Sequence, residues 1–323
     1  MMNIKGLLGA ALAGAMLWSV GLAHAADTVE MGLVGSPNSA EWEMYVGVHQ
    51  GFFADAGIKL DIIYVPTASG VMQQLSSGSF DIVDTSAPAP IDAVAHGAPV
   101  AILRITEAVP PYDMVADAKV KTVKDLKGKT VVLGSLVNIT HVYLERVLGS
   151  VGLKDSDVDI TTVGNTAGRY AALKSGSADA AMLAPPFNFI AESSGFHNLG
   201  TLMEFARDLP FGAADVSLDY AKQHRDIVVR FLGALDKSIA WFNTDANRAK
   251  AIDILVDEMK TTKRDEIAQS YDYLRKIGFF PNDNTIHRKS LETLMNDMIA
   301  IGDTEGKVPI DKLVLPDITH VGD

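Results

Sequence analysis

Residues 67–90, TASGVMQQLSSGSFDIVDTSAPAP, decide the fold, because residues 166–187, TAGRYAALKSGSADAAMLAPPF, repeat the same order of residue types. Gly70, the motif Ser-Gly-Ser-x-Asp around Gly78, and Pro88 each recur 98 residues further along the chain. A chain of 323 residues is long enough for two medium-sized domains. The repeat therefore predicts two similar lobes.

Segments with a strand pattern alternate with segments of helical periodicity in both copies of the repeat. The predicted strands are residues 28–34, 59–65, 80–85, 130–133, 159–163 and 180–183. Strands that alternate with helices at this interval are typical of a parallel sheet with helices on its faces. The sequence thus predicts an α/β fold of two doubly wound lobes with mostly parallel sheets.

The predicted lobes divide the chain unequally. Residues 26–115 form lobe 1 and residues 116–211 form lobe 2, and residues 212–323 return to lobe 1 as helical packing. From Leu218 onward the apolar residues follow helical spacing almost without interruption. We interpret these C-terminal helices as scaffold and place no chemistry there.

Residues 1–25 have the pattern of a secretory signal peptide. Lys5 is their one charged residue, residues 7–22 are apolar, and Ala23-His24-Ala25 forms a small-x-small cleavage signal. A membrane anchor is the alternative, but the apolar run is short for a membrane span and no basic flank follows it. We predict cleavage before Ala26 and a protein located in the periplasm.

Composition excludes several classes of site and partner. The chain contains 0 cysteines, which rules out disulfides, thiolate metal sites and lipid attachment through cysteine. With 28 basic and 40 acidic residues the formal net charge is −12, which argues against nucleic acid and anionic lipid as partners.

Ligands of open parallel sheets bind beyond the carboxyl ends of the strands, where loops lead into helix N-termini. Six such loops carry Ser, Thr, Asn or Gly, which contact ligands but also serve as ordinary helix caps. The predicted ligand-binding residues in and beside these loops are Ser36, Asn38, Trp42, Thr67, Ser69, Gly70, Ser86, Ala87, Ser135, Asn138, Thr140, His141, Asn165, Thr166, Arg169, Pro185, Phe187, Asn188 and Asp215.

Four of these residues have competing interpretations. Trp42 either stacks on a planar ligand or joins the core, and Phe187 has the same two alternatives. His141 contacts ligand or has a capping or surface role. The charge of Arg169 opposes the dipole at a helix start, so a carboxylate or sulfonate ligand would compensate it, unless a surface ion pair does. Asp215 is a candidate partner for a cationic or amino group.

Motifs of common enzyme classes are missing. The sequence has no G-x-S-x-G, H-E-x-x-H or G-x-G-x-x-G, and Gly128-Lys129-Thr130 lacks the glycine that a P-loop requires at position 123, where Val123 stands. We therefore predict a protein that is not an enzyme, with no catalytic residue, no metal and no cofactor.

Three motifs carry a family resemblance: GFFADAGI at residues 51–58, SGSFD at residues 77–81 and DLKGKTV at residues 125–131. In this order they resemble the nitrate/sulfonate/taurine-type periplasmic solute-binding proteins of ABC importers, whose superfamily includes proteins that bind thiamine-pyrimidine precursors. The resemblance implies a type II periplasmic-binding-protein fold that closes on its ligand about hinges near residues 112–121 and 204–214.

The resemblance also implies a monomer that delivers its ligand to ABC permease transmembrane subunits with a cytoplasmic ATPase. The aromatic and basic candidates favour a sulfonate, a carboxylate or a heteroaromatic compound over nitrate. Two alternatives stay open: an enzyme on the same fold, similar to the pyrimidine synthases of thiamine biosynthesis, and a periplasmic sensor subunit that presents ligand to a receptor.

Overall fold

The computed structural model describes residues 26–136, 138–261 and 263–323, so the predicted signal peptide lies outside the described residues. In chain order the strands are β1 (Asp27–Val34), β2 (Ile58–Val65), β3 (Ile82–Ser86), β4 (Val100–Glu107), β5 (Asp113–Ala116), β6 (Thr130–Leu133), β7 (Asp159–Thr162), β8 (Ala180–Leu183), β9 (His197–Thr201), β10 (Gly212–Ser217), β11 (Thr285–His287) and β12 (His320–Gly322).

Helices cover the faces of the sheets and most of the C-terminal part. In chain order they are α1 (Trp42–His49), α2 (Phe52–Asp55), α3 (Ala68–Ser76), α4 (Pro88–Ala95), α5 (Ile139–Gly149), α6 (Thr166–Ser175), α7 (Phe187–Ser193), α8 (Leu218–Gln223), α9 (Arg225–Phe242), α10 (Arg248–Glu258), α11 (Arg264–Ile277), α12 (Arg288–Ala300) and α13 (Ile310–Leu313). Across the described ranges, every helix is too short or too polar to span a membrane.

Two five-stranded sheets form the centre of the molecule. The first has the strand order β2-β1-β3-β10-β4 and the second has the order β7-β6-β8-β5-β9. In the first, β1 pairs in parallel with β2 and β3, while β10 runs antiparallel between β3 and β4. The second sheet has the same plan, with β5 as the antiparallel strand. The predicted bilobal α/β fold is confirmed.

The repeat in the sequence corresponds to one local structure built twice. The Thr67 side chain caps α3 by accepting a hydrogen bond from the Gly70 amide at 3.1 Å. Asn165 caps α6 in the same way, accepting from the Gly168 amide at 2.7 Å. Each side chain satisfies an amide that a helix start leaves without a partner. Both loops are therefore helix starts at the same place in their lobes.

The other end of the repeat is also duplicated. Gly78 and Gly176 have φ values of 77° and 75°, which L side chains rarely adopt, so glycine ends both helices. The carboxylate of Asp81 then accepts a hydrogen bond from the Glu30 amide, and that of Asp179 accepts one from Thr130, both at 2.9 Å. These bonds fasten the start of β3 to β1 and the start of β8 to β6.

The C-terminal helices pack on both lobes. Helix α9 buries Phe231 and Leu235 in the hydrophobic cluster that contains β1, α1 and α11. Helix α12 instead buries Leu294 and Met298 in a cluster shared with α5 of the second lobe. Residues 212–323 thus extend beyond the helical packing on lobe 1 that the sequence predicts.

The chain passes from the first sheet to the second between β4 and β5, and it returns to the first sheet between β9 and β10. The predicted lobe boundary after residue 115 falls inside β5, a strand that pairs with β8 and β9 of the second sheet. The predicted boundary after residue 211 coincides with the start of β10 at Gly212. The segments 108–112 and 202–211 therefore connect the two lobes.

Candidate ligand-binding cleft

A cleft of about 310 Å³ lies between the two sheets and is lined by residues of both lobes. This volume suits a small organic molecule. Its walls come from the ends of β1, β3 and β8 and from the starts of α5 and α6, as expected for loops at the carboxyl ends of parallel strands.

The lobes touch each other across this cleft. The Ser39 hydroxyl donates a hydrogen bond to the Pro185 carbonyl at 2.7 Å, and the Asn138 amide donates to the Ser86 hydroxyl at 3.3 Å. At Gly164 a Cβ would lie 2.6 Å from the Pro66 carbonyl oxygen, closer than real Cβ atoms approach. Glycine at this position therefore permits the close approach of the two lobes.

Arg169 is the cationic group of the second-lobe wall. Its side chain turns back from the start of α6, where Nε donates to the Met182 carbonyl and Nη2 donates to the Thr166 hydroxyl, both at 2.9 Å. Nη1 makes longer contacts of 3.4 Å with the carbonyls of Val163 and Gly164. The Tyr112 side chain is a further hydrogen-bond partner of the guanidinium. A guanidinium has five N–H donors, and a ligand would compete for those that make the two long contacts.

The positive charge of Arg169 has no carboxylate partner among the described residues, although the residue is only 2% exposed. Burial lowers the pKa of Arg169, because a buried charge loses hydration. The guanidinium carbon lies 5.5 Å from the centre of the Tyr112 ring, which is a favourable but weak interaction. An anion in the cleft would supply the missing countercharge.

Aromatic side chains line the cleft next to Arg169. Tyr112 packs edge-on against Phe211 with ring centres 5.5 Å apart, and both residues belong to the segments that connect the lobes. Phe187 lines the cleft at the start of α7. These rings give a ligand an apolar surface between the polar walls.

Glu41 and Asp84 form the acidic part of the first-lobe wall. Both residues line the cleft, and each is only 5% exposed. Burial raises the pKa of Glu41 well above its ordinary value, and the neighbouring Asp84 raises it further. Burial also raises the pKa of Asp84 to about 7. The first lobe therefore presents carboxyl groups with raised pKa values to the cavity, and the second lobe presents a guanidinium.

Nine of the nineteen predicted residues line the cleft. They are Ser36, Asn38, Ser86, Asn138, Asn165, Thr166, Arg169, Pro185 and Phe187. They come from five of the six predicted loops, and their contact with a ligand stays a prediction.

Trp42 lies in the core rather than in the cleft. Its ring packs edge-on against Phe242 and Tyr271, and its indole N–H donates to the Ala251 carbonyl at 2.9 Å. The Trp42 side chain therefore makes its contacts with helices α9, α10 and α11. Ala87 is likewise buried in a hydrophobic cluster and lies outside the lining residues.

Four polar candidates have partners within the protein. His141 bonds to Asp155 at 2.6 Å and to Asp303 at 2.9 Å. Asn188 is buried and donates to Asp113 at 2.8 Å. The remaining two are Asp215, which accepts from Thr85, and Thr140, which donates to Asn138. All four lie behind the lining residues, so the structure assigns them structural contacts.

Thr67, Ser69, Gly70 and Ser135 also lie outside the lining residues. Thr67 caps α3 and its hydroxyl lies 3.3 Å from that of Ser69. At this loop Ala68 is the residue that reaches the cleft. The polar groups of the loop thus serve the helix start.

The sequence interpretation missed several lining residues with distinctive chemistry. They are Glu41, Asp84, Thr85, Tyr112, Phe211 and Met259. Asp84 had a usable signal, because a carboxylate within the apolar strand IVDTS is unusual and lies near the strand's end. Met259 lies in the C-terminal part, and only its position in space brings it to the cleft.

Comparison with known proteins gives one family and a common fold. A family model described as NMT1/THI5 like matches residues 38–249. YtlA of Bacillus subtilis (strain 168), which is named as a binding protein, is 24% identical over 284 residues, covering 86% of this chain and 84% of YtlA.

Two solved structures of sulfonate-binding proteins are similar in fold. The periplasmic aliphatic sulphonate binding protein SsuA from Escherichia coli has a TM-score of 0.72 and 20% identity, covering 90% of this chain and 98% of SsuA. The alkanesulfonate-binding protein SsuA from Xanthomonas axonopodis pv. citri, bound to MOPS, has a TM-score of 0.73 and 18% identity, covering 91% of this chain and 98% of SsuA. With a family match over more than half of its length, the chain belongs to the NMT1/THI5-like family.

Proposed function

We propose that this protein is the extracytoplasmic solute-binding component of an ABC importer. It captures a small organic ligand with an anionic group, a sulfonate or a carboxylate on an aliphatic or heteroaromatic body, and delivers it to permease subunits with a cytoplasmic ATPase. The family match, YtlA's name as a binding protein and the fold similarity to two SsuA proteins support this role.

One observation carries the ligand assignment: the buried charge of Arg169 lines the cleft without a carboxylate partner in the described part of the chain. A charge taken out of water is costly unless a countercharge and hydrogen bonds compensate it. Sulfonates and carboxylates match the planar donor pattern of a guanidinium, and the aromatic residues beside it match an organic body.

The proposed mechanism includes opening and closing of the two lobes. A ligand that contacts both walls favours the closed state by the contacts that only this state makes. The two connecting segments between the sheets are where such a hinge would lie. No bond of the ligand is made or broken in this mechanism.

A thermal-shift screen of the mature protein tests the proposal. The probes are alkanesulfonates, aromatic carboxylates and sulfonates, pyrimidines and nitrate. A ligand that binds only the folded state raises the melting temperature, so we expect organic anions to raise it and nitrate to have little effect. A protein that none of them stabilises, or that consumes a probe, would contradict the binding role.

A further inference from the structure

The first-lobe wall of the cleft contains buried carboxyl groups whose oxygens lack hydrogen-bond donors and cationic partners within the protein. In the described part of the chain, Oε2 of Glu41 and Oδ2 of Asp84 are buried and accept no hydrogen bond. Buried polar atoms are almost always satisfied in native proteins. Two such atoms on the wall of one cavity therefore indicate a missing donor.

More carboxyl groups lie directly behind this wall. Glu43 is fully buried with no hydrogen bond to either oxygen, and oxygens of Glu43, Asp84 and Glu107 lie within 4.8 Å of one another. The charge of Arg104 acts on Glu43, but its guanidinium is paired with Asp236. Internal neighbours thus fail to balance the acidic wall.

A positively charged group on a bound solute would supply both the missing hydrogen-bond donor and the missing cationic partner. A nitrogen between two carboxylate oxygens donates to each at about 2.8 Å, and such charge-assisted bonds are among the stronger ones in proteins. Glu41 and Asp84 face the cleft, where a solute enters, whereas Glu43 and Glu107 lie outside the lining residues. The pair on the cleft side is therefore the one that a solute would contact.

We propose that the solute also carries a positively charged nitrogen group, an ammonium or an amidinium, which binds Glu41 and Asp84 while its anionic group binds Arg169. This inference rests on the function proposed above and narrows its substrate class. The solute's apolar body then spans the aromatic surface between the walls. Each wall contributes the charge opposite to that of the solute group that it binds.

A metal ion is the other source of positive charge at this place. Three carboxylates at this spacing also suit a hard divalent cation, whose oxygen ligands lie at about 2.0–2.6 Å. The solute's own nitrogen fits better, because a metal ion at Glu43 and Glu107 would leave Arg169 without its countercharge. It would also leave the free oxygen of Glu41 on the cleft side.

Matched probe pairs test the proposal by calorimetry at pH 8. The first pair is 4-amidinobenzoate and 4-carbamoylbenzoate, which differ only in the charged nitrogen group. The second is 3-aminopropanesulfonate and 1-butanesulfonate. We expect the cationic member of a pair to bind at least about tenfold more tightly, the effect of one charge-assisted hydrogen bond. Equal affinity within both pairs would overturn the proposal.

Variants show whether the preference comes from the acidic wall. Glu41→Gln and Asp84→Asn should each remove most of the preference for the cationic probe, whereas Glu292→Gln, at an exposed position on α12, should keep it. The melting temperatures without ligand confirm folding, and loss of a buried negative charge should not lower them. A preference retained in both wall variants would overturn the assignment.

The pH dependence of binding provides an independent readout. Because burial raises the pKa of Asp84 to about 7, a proton competes with the solute's cation below that pH. The titratable and charged groups around Asp84 are Glu41 just before α1, Glu43 on α1, Arg104 and Glu107 on β4, and Asp215 on β10. Affinity for the cationic probe should rise from pH 6 to pH 8, and that for its neutral partner should not.

Melting temperatures in the presence of metal salts distinguish a bound metal ion from the solute's nitrogen group as the source of positive charge. Calcium or magnesium chloride alone should leave the melting temperature close to its value in EDTA. A metal-dependent rise that Glu43→Gln abolishes, without preference for cationic probes, would overturn the solute assignment. If organic anions bind through Arg169 but no pair shows a preference, this inference fails while the proposed function stands; if no probe binds, the function itself fails.

Discussion

The two lobes have the same backbone plan but different ionisable groups at the cleft, carboxyl groups in one and a guanidinium in the other. Val71 and Arg169 occupy the same position in the repeat, four residues after the cap of α3 or α6. Val71 is buried in a hydrophobic cluster with Leu75 and Phe80. Arg169 turns its guanidinium to the cleft. The same position of the repeat thus holds a core residue in the first lobe and the candidate anion-binding residue in the second.

The acidic side of the cleft shows the reverse difference. Asp84 of β3 corresponds to Met182 of β8, which supplies only a carbonyl to Arg169. Glu41 stands three residues after Asn38, and His141 stands three residues after Asn138. His141 has two carboxylate partners behind the cleft, whereas Glu41 faces it. The repeat therefore sets the scaffold, and the departures from it set the charge of each wall.

The largest expected effect comes from removing the charge of the second-lobe wall. Arg169→Met should weaken binding of an organic anion at least about 100-fold, because the anion loses a buried ionic hydrogen bond. Arg207→Met, at an exposed arginine, is the matched control and should bind normally. Calorimetry with the tightest probe of the screen measures both. Unchanged affinity in the Arg169 variant would show that the two lobes do not differ in this way.

His141 should matter for stability and not for ligand contact. Burial opposes its charge, but hydrogen bonds to Asp303 and Asp155 outweigh burial and raise the pKa of His141 to about 9. This contribution is fully present below pH 6.5, the ordinary pKa of histidine, and is lost as the pH rises through about 9.

His141→Gln should therefore lower the free energy of unfolding by about 2 kcal/mol at pH 6 and by much less at pH 10. Urea denaturation at both pH values measures the difference, with His320→Gln at an exposed position as the control. A loss of stability that does not depend on pH would contradict the ion-pair assignment.

Val71→Ala tests the packing role of the position that corresponds to Arg169. Removing two buried methyl groups should lower the free energy of unfolding by about 1–2 kcal/mol and leave probe affinity nearly unchanged. Denaturation and calorimetry on the same variant provide both readouts. If affinity falls as much as in Arg169→Met, the two positions do not have separate roles.

An effect of similar size is expected for closure of the lobes. Gly164→Ala would place a Cβ 2.6 Å from the Pro66 carbonyl of the opposite lobe, so the variant should close less completely and bind about tenfold more weakly. Gly149→Ala, where a Cβ meets no neighbour within 4 Å, is the control. Small-angle scattering with and without ligand measures closure. Full compaction of the Gly164 variant would contradict the steric argument.

The repeat made the fold predictable from the sequence. The motif around Gly78 and Gly176 reports left-handed helix ends, and the Asp residues after it report strand starts, so both signals are local. The return of β10 to the first sheet was harder to predict in detail, because strand order depends on pairing between segments that are distant in sequence.

The cleft was predictable in its loops and less so in its individual side chains. Strand-end loops led to Asn138 and Arg169, but the loop pattern does not say which way a helix-start side chain turns. Trp42 turns into the core because α9 and α11 supply aromatic partners far along the chain. Glu41, its immediate neighbour, turns to the cleft instead.

A crystal structure of the protein with the tightest-binding probe tests the central claim most directly. We expect the probe between the two lobes, with its sulfonate or carboxylate oxygens within about 3 Å of the Arg169 guanidinium nitrogens. A probe bound outside the cleft, or one whose anionic group lies away from Arg169, would contradict the assignment of opposite roles to the two walls.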